Sequence, residues 1–244
     1  MPLQTYTAEV ARVRDLTHDV REIDLRLIEP ATIAFKPGQF VSFEVPKPGA
    51  PRPVTRPYSI ASAPSRQDQI TLLLNLVPGG PGSTYLFSLK EGDRTTFKGP
   101  AGTFYLRPQP ERDIVMVATG TGIAPFRSMW RAWDESADPN ACHVLWGLRS
   151  QRDLYYQDEL AELAARRPNF RFQITLSRPE AGWTGPVGRV TPLVVTELGP
   201  VNRLAAYLCG NSGMIQDVTA VINQRGLCPI YREKYYDDDA HATT

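Results

Sequence analysis

Two glycine-rich turns and one arginine–tyrosine strand carry most of the chemistry that can be read from this chain. Thr119-Gly120-Thr121-Gly122 follows a short β-branched-rich run, Ile114-Val115-Met116-Val117, and precedes Pro125 and the segment Phe126 to Trp133. A buried strand, a tight glycine turn and a helix N-terminus in that order make an anion site. The glycines let backbone approach a phosphate, and the helix end presents free N–H groups and a partial positive charge. Pro125 stands where the third glycine of G-x-G-x-x-G would be, so taken alone the stretch also suits an ordinary strand-to-helix turn.

A second phosphate-ready turn is Gly79-Gly80-Pro81-Gly82-Ser83-Thr84, where two hydroxyls are expected to cap a short helix. The alternative is a flexible hairpin loop. Arg56-Pro57-Tyr58-Ser59 puts a cation, an aromatic and a hydroxyl on one strand. Alternation places Arg56 and Tyr58 on one face and Ser59 on the other. An arginine fork suits a pyrophosphate and a tyrosine ring suits a flat heterocycle. The same residues also suit a strand with a surface arginine and a core tyrosine. Lys98-Gly99-Pro100-Ala101-Gly102-Thr103-Phe104 reads as a barrel-closing turn with a core phenylalanine. Two phosphate sites in different parts of the chain suggest two nucleotides.

The elements that must position these residues come in two rhythms. Up to about residue 100, short strand-like runs alternate with Pro/Gly turns: Tyr6–Val13, Val20–Leu27, Phe40–Val45, Tyr58–Ser62 and Ile70–Val77, with one short helix over Thr84–Leu89. Many short strands with such turns predict an antiparallel barrel. After Pro110, strands at 114–118, 142–147, 170–176, 204–209 and 229–232 alternate with helices at 123–134, 155–166, 189–197 and 212–224. That alternation predicts a doubly wound parallel sheet. The stretch from Leu106 to Arg112, rich in Pro and charge, marks the boundary, giving a barrel domain over 1–108 and an α/β domain over 109–244.

Bulk properties exclude more than they assign. The net charge of +1 over 244 residues gives no reason to expect a nucleic-acid or membrane-surface partner. Cys142, Cys209 and Cys228 fit no zinc or iron–sulfur spacing, so no metal is expected and a reducing, cytoplasmic setting is the simplest reading. No apolar run reaches membrane-spanning length, and no signal segment is evident. Asp237-Asp238-Asp239 reads as a solvated tail.

Taken in order, Arg56-Pro57-Tyr58-Ser59, the GGPGST loop, the GPAGTF turn, VATGTGIAP, Cys209-Gly210-Asn211 and Glu233-Lys234-Tyr235 resemble the ferredoxin–NADP+ reductase family of bacterial type, across essentially the whole chain. The resemblance implies that Arg56, Pro57, Tyr58 and Ser59 hold a flavin, with Tyr58 against the isoalloxazine ring and Ser59 near N5. It implies that Gly82, Ser83 and Thr84 hold the flavin phosphates, FAD rather than FMN. Thr119, Gly120, Thr121, Gly122 and Pro125 would take the pyrophosphate and ribose of a nicotinamide dinucleotide. Arg149, Ser177, Arg178 and Arg189 are candidates for the 2′-phosphate that distinguishes NADPH from NADH. By the same resemblance Cys209 and Gly210 lie beside nicotinamide C4, Cys209 as a positioning residue. Tyr235 would cover the flavin, with Tyr236 as the other candidate, and Glu233 would relay a proton toward Ser59.

The implied reaction passes a hydride from NADPH to flavin N5 and then single electrons to a separate carrier, ferredoxin or flavodoxin. Two other readings stay open. One is an NADH-dependent reductase serving an oxygenase or a heme protein. The other is a non-catalytic subunit that senses flavin or nucleotide.

Overall fold

In β1 (Gln4–Asp15) the side chains of Tyr6, Ala8 and Val10 are buried and those between them are partly exposed, the period of a strand with one wet face. The computed structural model describes residues 3–47, 49–108 and 111–236. The Asp237–Asp239 run and part of the Leu106–Arg112 boundary lie outside the described residues. The chain divides into two compact units, Met1–Leu106 with Ala124–Trp133, and Arg107–Ile123 with Asp134–Thr244.

In the first unit, β1 is joined by β2 (Val20–Glu29), β3 (Phe40–Val45), β4 (Val54–Ser59), β5 (Gln69–Asn75) and β6 (Arg94–Ala101). The sheet is antiparallel throughout, in the order β4-β3-β6-β1-β2-β5. Its two ends meet: Ile60, just past β4, bridges to Leu72 of β5, and the Ala61 N–H donates to Thr71 O at 2.8 Å. Curling the sheet encloses a core of Tyr6, Val10, Ile23, Leu25, Phe43, Leu72 and Phe97, with Tyr6 and Phe97 stacked at 5.4 Å. Helix α1 (Pro81–Ser88) follows β5.

A buried carboxylate also sits in this unit. Glu22 on β2 accepts from Arg14 Nε at 2.8 Å and lies 3.4 Å from Arg127 Nη1. Arg127 is itself buried. Charges this far from water are tolerable only when paired and hydrogen-bonded.

The second unit is a parallel sheet built from β7 (Asp113–Thr119), β8 (Cys142–Leu148), β9 (Phe170–Leu176), β10 (Leu204–Asn211) and β11 (Ile230–Tyr236). Along the chain its strands are joined by α2 (Ala124–Glu135), whose residues Ala124–Trp133 belong to the first unit, and by α3 (Gln157–Arg166), α4 (Val190–Glu197) and α5 (Ser212–Arg225). Strand order is β11-β10-β7-β8-β9. The chain therefore starts in the middle at β7, winds outward through β8 and β9, then returns to the other side for β10 and β11. That reversal puts a topological switch point between β7 and β10, and ligands of open α/β sheets bind at the strand carboxyl ends there. Val115, Val117, Leu145, Val194, Leu208 and Val218 are part of its buried core. None of the helices among the described residues is long and apolar enough to cross a membrane.

Four local expectations differ from the structure. The strand expected over Tyr58–Ser62 is β4, Val54–Ser59. Pairing with β3 runs from Val54 to Ser59, and past it the chain crosses to β5. Lys98 to Ala101 belong to β6 instead of a turn; the turn comes at Gly102, with φ +101°, and Phe104 is buried as expected. Helix α1 starts at Pro81, not Thr84, with Gly80 as its N-cap. The last strand continues to Tyr236, so Glu233 and Tyr235 are strand residues.

Candidate functional sites in the two units

The Arg56–Ser59 strand and the GGPGST loop come together in the first unit. Strand β4 pairs with β3, Arg56 opposite Phe43 and Tyr58 opposite Val41. Tyr58 packs edge-on against Phe43 at 5.9 Å. Arg56 and Tyr58 are both half-buried, while Ser59, the last residue of the strand, is buried. Gly82 lies directly on this pair. A Cβ there would collide with the Tyr58 hydroxyl and stand 2.9 Å from Arg56 Cβ and Cγ, so only glycine lets the first turn of α1 come this close. Burial pushes the Tyr58 phenol up to about 12, although the Arg56 guanidinium beside it pulls the other way. The ring therefore stays neutral.

The hydroxyl caps expected at Ser83 and Thr84 are not what starts α1. No side chain caps this helix. Ser83 is buried at its third position, and its Oγ accepts from the Val77 N–H at 3.0 Å and lies 3.2 Å from Gly80 O. Ser83 thus holds the loop that leads into the helix. Thr84 is exposed, and its N–H donates to Gly80 O at 3.0 Å. Anion-binding capacity here belongs to the first-turn amides of Gly82 and Ser83, which a helix leaves without intrahelical partners.

In the second unit the switch point is built by two glycines from different turns. Gly122 follows β7 and Gly210 ends β10. A Cβ on Gly122 would stand 2.5 Å from Cys209 O and 2.8 Å from Gly210 Cα. A Cβ on Gly210, whose φ is +136°, would collide with Thr119 Oγ1. The Asn211 N–H donates to Thr119 Oγ1 at 3.0 Å, and the Asn211 side chain caps α5 by accepting from the Met214 N–H at 3.0 Å. Asn211 was not singled out from the sequence as a site residue. Its position before an apolar helix is the usual N-cap signal.

Gly120 to Ile123 form a 3-10 turn, and the chain runs on into α2 with Pro125 in its first turn, where proline costs no hydrogen bond. Cys209 pairs in register with Glu233 of β11. Burial pushes its thiol well above the usual range, and the Glu233 carboxylate adds to this. A neutral, fully buried thiol suits positioning, not attack. The β10–β11 register slips between Gly210 and Asn211, so Asn211 pairs with Tyr236 and Tyr235 is the extra residue. A bulge of this kind re-aims side chains at a strand end.

Two of the three arginines are brought together. Arg149 follows β8 and Arg178 follows β9; the Arg178 N–H donates to Arg149 O at 2.7 Å, and the Ser177 N–H to Leu148 O at 3.0 Å. Arg149, Ser177 and Arg178 are exposed at these strand ends. Arg189 is exposed and occupies the N-cap position of α4, without a capping hydrogen bond from its side chain. The preceding Gly188 is tied back to β9, its N–H donating to Leu176 O at 2.8 Å.

Known proteins match both units. The oxidoreductase FAD-binding domain model matches residues 7–105, and the oxidoreductase NAD-binding domain model matches 116–220. The chain is 33% identical over 238 residues to the ferredoxin–NAD(P)+ reductase component of the naphthalene 1,2-dioxygenase/salicylate 5-hydroxylase systems of Ralstonia sp., covering 96% of this chain and 70% of that one. It is 35% identical over 218 residues to ferredoxin–NADP reductase B of Sorangium cellulosum, covering 87% and 88%. The crystal structure of the Amycolatopsis cytochrome P450 reductase GcoB superposes with a TM-score of 0.85 at 31% identity, over 96% of this chain and 70% of that one. With both domain types matched in chain order and relatives covered over more than two thirds of their length, this chain belongs to the ferredoxin–NAD(P)+ reductase family of FAD-dependent oxidoreductases.

Proposed function

We propose that the chain is the NADPH-oxidising reductase of a cytoplasmic electron-transfer pair, with ferredoxin or flavodoxin as the one-electron partner. Bound FAD accepts two electrons as a hydride and releases them singly, which is what joins a nicotinamide to a one-electron carrier. Residues 1–108 hold the flavin and 109–244 the dinucleotide in this reading. The observation that carries it is the backbone hydrogen bond that sets Arg178 beside Arg149 at neighbouring strand ends, in the same sheet as the glycine-lined switch point. Two guanidinium forks suit a 2′-phosphate through charge-assisted contacts.

The chain's own residues are assigned as follows. Arg56 and the first-turn amides of α1 take the flavin pyrophosphate, and the neutral Tyr58 ring lies against the flavin. Pro57, which lacks an N–H, fixes the strand between them. Ser59 holds a hydrogen bond near flavin N5. Thr119, Thr121 and Gly122 take the dinucleotide pyrophosphate. Cys209 and Gly210 position the nicotinamide, Glu233 holds a proton for transfer, and Tyr235 covers the flavin. The tight fit of Gly82 on Tyr58 and Arg56, and of Gly122 on Cys209, supports these cradles. The three free cysteines suit a reducing cytoplasm.

A second reading is an NADH-dependent reductase for an oxygenase or heme protein. It is favoured by relatives named as oxygenase reductase components, such as the toluate 1,2-dioxygenase electron transfer component of Pseudomonas putida. Ferricyanide reduction by the purified flavoprotein, with NADPH and NADH titrated in parallel, separates the two. A kcat/KM at least tenfold higher with NADPH is expected. A preference for NADH would leave the hydride chemistry standing and transfer the partner search to oxygenases.

A further inference from the structure

We infer that Trp146 and Tyr155 are positioning residues for the pyrophosphate, acting through the backbone of Gly120. This rests on the reading of Thr119–Gly122 as the dinucleotide turn. Trp146 Nε1 donates to Gly120 O at 3.0 Å, and the Tyr155 hydroxyl donates to the same oxygen at 3.4 Å. Both rings are buried, Trp146 completely and Tyr155 to within 6%. They meet edge to face at 4.8 Å and 78°, so each donor is held by packing. Trp146 sits on β8 opposite Ala118 of β7. Tyr155 comes from the stretch before α3, where Tyr156 at φ 57° starts the helix. Two separate elements thus converge on one carbonyl.

The carbonyl they hold belongs to the peptide that begins the turn. Gly120 has φ +52°, a conformation that glycine adopts without cost and that leaves its flanking peptides easy to reorient. In a trans peptide the C=O and the following N–H point in opposite directions. Fixing Gly120 O toward Trp146 and Tyr155 therefore fixes the Thr121 N–H to point away from them. Two donors on one carbonyl also polarise that peptide and strengthen its N–H as a donor. The flexible glycine lets the backbone adopt the turn, and the buried aromatic pair restricts it to one peptide orientation. Neither aromatic needs to touch the dinucleotide.

Trp146→Phe and Tyr155→Phe remove the donors and keep aromatic packing. Titration of the FAD-loaded proteins with NADP+ and with 2′-AMP, which has no pyrophosphate, tests the role. Each variant is expected to weaken NADP+ by about fivefold, the size of one lost hydrogen bond, and the double variant by more. The 2′-AMP Kd should stay within about twofold of the parent. Equal weakening of both ligands would mean general damage to the domain and would overturn the inference, as would an unchanged NADP+ Kd. Gly122→Ala, titrated alongside, keeps the two levels apart. If it loses NADP+ affinity while the phenylalanine variants do not, only the aromatic clamp fails. If it binds NADP+ as tightly as the parent, the dinucleotide turn itself has been misplaced and the inference goes with it.

Discussion

A glycine is informative where a side chain would strike backbone, since backbone cannot move aside as a flexible side chain can. Gly122 meets that condition against the Cys209 carbonyl. The Cys209 side chain suits setting distance better than reacting for a separate reason: burial and the Glu233 carboxylate keep its thiol neutral. In the proposed reading, charge specificity rests elsewhere, on the exposed Arg149 and Arg178. Arg178→Ala should weaken NADPH by about 1.5–3 kcal/mol, the range of a hydrogen bond to a charged group, and should leave NADH nearly unaffected. Steady-state kcat/KM for the two cofactors checks it, and equal losses for both would remove Arg178 from the 2′-phosphate. The residue types at these positions were legible as chemistry in the sequence. Their grouping was not. Arg149 and Arg178 meet only because β8 and β9 are neighbours in register, and Ser83, whose hydroxyl looked phosphate-ready, is committed to Val77 and Gly80.

At the scale of an element, β8 does two jobs. Trp146 reaches toward Gly120, and His143, three residues earlier, is buried with neither ring nitrogen hydrogen-bonded. Burial lowers the His143 pKa to about 4, helped by the Arg171 guanidinium on the neighbouring strand. The folded state therefore holds this imidazole neutral, while the unfolded chain takes up a proton at its ordinary value near 6.5. Its contribution to stability is complete above that value and is lost as pH falls toward 4, at up to about 1.4 kcal/mol per pH unit. His143→Phe should flatten that part of the profile. Urea unfolding of both proteins between pH 7 and pH 4 measures the difference, and parallel profiles would show that His143 does not titrate with unfolding. Element types were read from periodicity with little error, because apolar alternation and helical spacing are local properties. Ends were read less well where long-range pairing decides them. Strand β6, which no expected strand covered and whose second half falls in the run read as a turn, is held by β1 and β3 on either side.

For the whole molecule, the state of the thiols is an accessible test of packing. Cys142 and Cys209 are buried and Cys228 is partly exposed, all three free. Burial raises the pKa of each thiol. A native sample treated with a thiol reagent should modify Cys228 alone, with all three reacting in denaturant, as read by peptide mass spectrometry. Rapid native labelling of Cys209 would contradict the sealed site. By itself the sequence determined the two-part architecture, the order of the glycine-rich turns and the family, since these depend on local periodicity, turn chemistry and motif order. Tertiary structure alone decided that Gly82 seats on Arg56 and Tyr58, that Gly122 and Gly210 close on one another at the switch point, and that two buried aromatics hold a single peptide. Those contacts join residues tens of positions apart, and strand order, which no local pattern encodes, is what brings them within reach.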